Sequence, residues 1–352
     1  MSLGGLRDLA LACAACGLVA AGGWTTLRIS QASARREPVE LPATADPAPL
    51  PDLAPLPSPV LSTSAAGSFL GMPDEPVIER LRGAPIRRIR INRGGSSLSL
   101  RLQFEDGSKA AFKPRQVFAH SIPRKEIAAY RINRQLGLNG VPPATARVIT
   151  RAELVARLDP RDRPDLPRIL GEARFEADGR LAGEASYWIP VIRDADLEEP
   201  EQLLRWTGWL SVDGEIGPAD RNHATQISTM VVFDFLINNA DRFSGANTMG
   251  DDRLDRLFFM DNTMSFGPEA QGHATALAAL LRVQRFSRRL LGAARELSEE
   301  TIRHALFAEP DPPFPLLLDD EIRGVLDRRD FLLQHVDGLV AAQGADKVMC
   351  FE

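Results

Sequence analysis

Leu98, Leu100, Leu102 and Phe104 alternate with polar neighbours. A period of two turns one strand face inward and the other outward, so 98–104 predicts a half-buried strand. Ile86, Ile89 and Ile91 mark an earlier strand in IRRIRIN, 86–92, and Arg93-Gly94-Gly95-Ser96-Ser97 reads as the turn between the two. Glu105-Asp106-Gly107 is a hairpin signal. The next strand ends in Ala110-Ala111-Phe112-Lys113 and is stopped by Pro114. The period then changes. Pro123 opens a helix in which Ala128, Ile132 and Leu136 recur every four residues, and Gly137, Gly140, Pro142 and Pro143 end it. Ile227 to Asn238 is almost wholly apolar, which predicts a buried helix running into Asn239-Ala240-Asp241-Arg242. A short apolar run, Leu257 to Met260, ends in Asp261-Asn262, and Ile322, Leu326, Leu333, Val336 and Val340 stripe a late helix. Strands come first and helices later, and no internal repeat is present, which is an α+β order.

The 352 residues suffice for one large domain or for two modest lobes sharing a cleft. At 44% apolar and 25% charged, the composition is that of a globular chain with a sizeable core. The net charge of -5 provides no general basic field, so nucleic acid is not an expected partner. The clusters Arg87, Arg88, Arg90 and Arg282, Arg285, Arg288, Arg289 read as solvated faces. Cys13, Cys16 and Cys350 cannot staple the body or build a zinc site in it, and the five histidines lack metal-ligand spacing.

Residues 9–27 are nearly uncharged, with Arg7 before them and Arg28, Arg35 and Arg36 after. They read as a single-pass signal-anchor, or as a cleaved signal peptide of an exported protein. The arginine excess after the segment would keep the body cytoplasmic, while the short N-terminus fits export, so the side stays open. Eight prolines over 37–60 make an extended tether. The expected organisation is 1–36 anchor or signal with its flank, 37–69 tether, 70–194 β-rich small lobe with inter-lobe linker, and 195–352 helical large lobe.

Phosphoryl transfer from ATP needs a cation on the phosphates, carboxylates on a divalent metal and a carboxylate orienting the acceptor hydroxyl. Lys113 ends a strand that follows a glycine turn and a hairpin, and Glu126 sits on the next helix. Taken singly, they read as a surface lysine and a solvated glutamate. Together they match the strand-lysine, helix-glutamate arrangement of kinase small lobes. Asp241 and Asp261 each terminate a strongly apolar segment. Aspartate is a common turn former, but this spacing also fits a catalytic-loop and a metal-binding aspartate.

AAFKPRQ (110–116), EIAAYRINRQLGLNGVPPATAR (126–147), ASYWIPVIRD (185–194), MVVFDFLINNADR (230–242) and FFMDNTMSFG (258–267) occur in that order. Over roughly residues 85–305 the chain resembles the secretory-pathway kinase family of the Golgi casein kinase, the proteoglycan xylose kinase and the four-jointed kinase. The resemblance implies a bilobal atypical protein-kinase-like fold using ATP with manganese or magnesium. It implies that Lys113 contacts nucleotide phosphates, Asp241 accepts or orients the hydroxyl proton, and Asp261 with Glu126 binds the metal. Tyr187 to Val191 would link the lobes, with Pro190 and Val191 against the nucleotide. Arg242, Asn247 and Asn262 are lesser candidates, Asn247 because it falls six residues after Asp241 instead of five. The family's Asp-Asn-Gly reads Asp261-Asn262-Thr263, and its animal members' disulfide cysteines are missing, as in a bacterial-type relative. The expected activity is phosphorylation of a protein Ser/Thr or glycan hydroxyl. The alternatives are a pseudokinase scaffold, or a HipA-like kinase, lipid kinase or nucleotidyl transferase on the same fold. The N-terminal anchor speaks against a cytosolic toxin.

Overall fold

The computed structural model describes residues 67–93, 95–244 and 247–352, all within one compact unit, Thr63–Glu352. The segment 9–27 and the proline-rich 37–60 lie outside the described residues. A two-residue hairpin, β1 (Ser68–Phe69) with β2 (Met72–Pro73), leads into α1 (Asp74–Gly83). Strands β3 (Ile86–Ile91), β4 (Leu100–Phe104) and β5 (Lys109–Pro114) follow, then α2 (Pro123–Gln135) and β6 (Ala144–Thr150). Helix α3 (Arg151–Arg157), a 3-10 turn and α4 (Leu166–Glu172) precede β7 (Arg180–Tyr187). The five long strands form one antiparallel sheet in the order β3-β4-β5-β7-β6.

The alternation read from sequence is the burial pattern of this sheet. Leu98, Leu100, Leu102, Phe104 and Phe112 are all buried. The ladder starts at Leu100 and not at Leu98, because Leu98 N–H donates to Gln116 Oε1 at 2.7 Å and Gln116 Nε2 donates back to the Leu98 carbonyl at 3.1 Å. Lys113 pairs in register with Glu184, and Pro114 with Gly183. A Cβ on Gly183 would lie 2.5 Å from the Lys113 carbonyl, so only glycine lets β7 approach β5 beside the lysine.

The remainder is mainly helical. A short ribbon of β8 (Arg193–Asp194), β9 (Met249–Gly250) and β10 (Leu257–Phe258) brackets α5 (Pro200–Trp209) and α6 (Arg221–Ile237). Then come α7 (Ala274–Leu280), α8 (Arg288–Arg295), α9 (Glu299–Phe307), α10 (Asp319–Gln343) and α11 (Ala345–Val348). Buried side chains of the sheet and of these helices form a continuous core. The predicted buried helix is α6, starting earlier, at Arg221, and capped by Asn238 in the left-handed region. The 257–260 run is strand only over Leu257–Phe258, because Phe259 N–H turns to the Gly140 carbonyl. In α10, Ile322, Val325, Leu332 and Val336 are buried, while the predicted Leu326, Leu333 and Val340 are half-buried. The fully buried Arg328 tilts that stripe, donating to the carbonyls of Leu236, Gly267 and Glu269. No described helix is long and apolar enough to cross a membrane.

Candidate active site

Lys113 leaves β5 at its C-terminal end, and its Nζ donates to Asp261 Oδ1 at 2.5 Å. The lysine side chain is 14% exposed and the aspartate 40%. Burial alone would lower the Lys113 pKa, but the Asp261 and Glu126 carboxylates outweigh it and hold the ammonium above its usual range. Burial would likewise raise Asp261, and the Lys113 charge reverses this, keeping the carboxyl ionised. The strand-lysine therefore pairs with the later aspartate and not with Glu126; no Lys113–Glu126 ion pair is present among the described residues.

Glu126 lies in the first turn of α2, a helix that proline opens at Pro123. It is 5% exposed. Both its oxygens are taken by Asn262, from the backbone N–H at 2.5 Å and from Nδ2 at 2.9 Å. Burial raises its pKa. Asn262 Oδ1 in turn accepts from Asn239 Nδ2 at 3.1 Å and Arg242 Nη2 at 3.0 Å. Asn239 was not singled out from sequence; its side-chain bonds to Asn262, to the Asp261 carbonyl and from the Asp241 N–H join the two aspartate loops.

Asp241 comes shortly after Asn238, whose backbone is left-handed, and Asn239. Its carboxylate accepts from the Ser244 hydroxyl and from Asn247 Nδ2, the latter at 3.2 Å. Asn247, six residues on, is thus a neighbour of Asp241. Arg242 points the other way. It is 1% exposed and forks onto Asp234 at 2.8 and 3.1 Å. It also donates to the carbonyls of Asn247 and Met260. Its place is in the scaffold, where it ties the Asp241 loop to the chain entering Asp261.

Asp261 adopts φ +56, a left-handed conformation that aspartate tolerates better than most side chains. Thr263, where the resembled pattern has glycine, is buried and gives its hydroxyl to Asp261 Oδ1 at 3.1 Å. Tyr187 packs edge-on to Phe69 at 5.8 Å, and Ile189 is buried with Phe69 and Phe258. Pro190 and Val191 are exposed.

Sequence reasoning passed over Glu184. It is 1% exposed, lies opposite Lys113 across β5 and β7, and its Oε2 has no hydrogen-bond partner. Burial, then the Glu126 charge, push its pKa well above the carboxylate range. The signal available was an ionisable residue inside the small and apolar run Leu181, Ala182, Gly183, Ala185.

Three carboxyl groups, Glu126, Glu184 and Asp261, thus act on one lysine, a concentration of acidic groups suited to a cation. Among the described residues no three or more His, Cys, Asp or Glu groups could cage a metal. Asp261 is open to solvent and Glu126 is backed by Asn262. This donor set fits a hard ion held by two carboxylates and completed by phosphate oxygens and water.

No protein-family model matches the chain. The pseudokinase FAM20A of Mus musculus is 26% identical over 312 residues, 74% of this chain and 57% of its own. The glycosaminoglycan xylosylkinase of Danio rerio is 23% identical over 320 residues, 78% of this chain and 76% of its own. The chain thus spans somewhat more than half the length of its FAM20A relatives. The Golgi casein kinase solved with Mn/ADP bound superposes with a TM-score of 0.61 at 14% identity, over 78% of each chain. Hydra Fam20 solved with sugar superposes with a TM-score of 0.58 at 18% identity, over 77% of this chain and 90% of that one. The fold is the α+β, kinase-like fold of the Golgi casein kinase.

Proposed function

We propose that this chain, a relative of the secretory-pathway atypical kinases, is an ATP-dependent phosphotransferase acting on a protein Ser/Thr or glycan hydroxyl. One observation carries the reading. Lys113, Glu126, Asp241 and Asp261, far apart in sequence, are linked by a hydrogen-bonded chain through Asn262 and Asn239. Glycan and protein acceptors are the two classes named by the matched xylosylkinase and casein kinase. One matched relative is a pseudokinase, so the case for activity rests on the four groups being present.

In this reading Lys113 grips the transferred phosphates, and Asp261 with Glu126 holds manganese or magnesium. The ion would offset phosphate charge. Asp241, oriented by Ser244 and Asn247, accepts or orients the hydroxyl proton. Tyr187, Ile189 and the exposed Pro190 and Val191 form the linker beside the nucleotide. The full chain is expected to gain thermal stability with manganese and ATP together, and Asp261→Ala to abolish the gain. No gain under any divalent metal would sink the proposal. The uncharged stretch 9–27 supports membrane attachment as a further part of the reading, and recovery of the full chain in the soluble fraction after alkaline extraction would remove that part.

A further inference from the structure

The ion pair between Lys113 and Asp261 raises a problem for cation binding. The ammonium sits on the carboxylate that a metal needs, at 2.5 Å. A cation on that oxygen would be held a few ångströms from the like-charged ammonium, which repels it. Lys113 must move, and its Cα is fixed in the β5 ladder. Glu126 is the other carboxylate of the proposed metal site, already oriented by Asn262, so an ammonium moved onto it would meet the ion again.

Glu184 is placed to receive it. Directly opposed residues of antiparallel strands project to one face with Cβ atoms about 5 Å apart. Lys113 and Glu184 are such a pair, and on the far side of Glu184 the row continues with Ala146, which offers no competing side-chain donor. Glu184 Oε2 is buried and without a partner. A buried carboxyl oxygen without a donor is costly, and an ammonium on the same face of the sheet is a chemically suited partner for it.

We infer that Glu184 is the acceptor to which the Lys113 ammonium transfers when a divalent cation takes Asp261, which makes Glu184 a positioning residue for the phosphate-gripping lysine. In the metal-free protein Lys113 neutralises Asp261. In the loaded protein it neutralises Glu184 and stands beside the nucleotide phosphates. The inference rests on the proposed metal site at Asp261 and Glu126.

Manganese binding to the full chain, followed through loss of the free ion's electron paramagnetic signal without nucleotide or turnover, tests it. Glu184→Gln keeps the shape and removes the charge. It is expected to weaken manganese binding about tenfold, the scale of an outer-sphere partner, because Lys113 then stays on Asp261. In a Lys113→Met background the same substitution is expected to change affinity less than about twofold, since no ammonium remains to be reseated. Circular dichroism of the metal-free variants checks folding, and Lys113→Gln replaces Lys113→Met should the latter not fold. Equal affinity of wild type and Glu184→Gln overturns the inference, as does the same loss in both backgrounds, which a merely structural carboxylate would give. Failure of the wild type to bind manganese alone overturns this inference, whereas the proposed function falls only if manganese and ATP together also give no stabilisation, so the two failures are distinguishable.

Discussion

Asn262 uses all its hydrogen-bonding side-chain atoms. Its Nδ2 donates to Glu126 and to the Phe259 carbonyl, both at 2.9 Å, and its Oδ1 accepts from Asn239 and Arg242. The side chain therefore sets where Glu126 stands relative to both aspartate loops. Asn262→Ala leaves the Glu126 carboxylate buried with the backbone N–H as its remaining donor. A loss of roughly 1–3 kcal/mol of stability is expected for the orphaned group, with manganese binding weakened about 10- to 100-fold. Chemical denaturation and metal titration read the two effects, and unchanged metal affinity would contradict this placement of Glu126. The places of Lys113, Asp241 and Asp261 in the chain were legible because each ends an apolar segment, where a scaffold presents side chains. Glu184 was not, because its meaning depends on strand register, and β7 pairs with β5 across some seventy residues of intervening chain. Thr263 was legible as a departure from pattern; its hydroxyl bond to Asp261 was not.

At the scale of elements, α2 carries Glu126 and must be held firmly. Its first turn is clamped to α10. Arg124 forks onto Glu321 at 2.6 and 2.8 Å and donates to the Leu316 carbonyl, while Glu321 also accepts from Leu318 N–H at the start of α10. Burial alone would raise the Glu321 pKa; the Arg124 fork and that N–H outweigh it and hold the carboxyl below its ordinary range. A depressed carboxylate contributes stability that is present above the unfolded-state glutamate pKa and lost as pH falls through the folded-state value. Arg124→Met should therefore cost on the order of 3 kcal/mol at neutral pH. The difference from wild type should shrink below about pH 4, where Glu321 is protonated in the unfolded chain. Urea unfolding at pH 7 and at acid pH checks this, and a pH-independent difference would contradict it. The element order and the amphipathic faces of the sheet and of α2 could be read from periodicity. The clamp could not, because its partners are 197 residues apart. Nor could the tilt of the α10 stripe, which follows from Arg328, a residue that any pattern assigns to solvent.

At the scale of the whole molecule, an antiparallel sheet ending in Lys113 and a helical region ending its buried helix at Asp241 are joined by the Asn262 hub. Local sequence supplied the two halves, and the family resemblance supplied their joint purpose. The acceptor class is the part least written in the residues described. The measurement that tests the central claim most directly is product labelling. The full chain is incubated with manganese and ATP labelled at either the γ or the α phosphate, with a panel of peptide, sugar and lipid acceptors. The account predicts label from the γ position on a peptide or sugar, none from the α position, and loss of transfer in Asp241→Asn. Label from the α position, or undiminished transfer by Asp241→Asn, would contradict it.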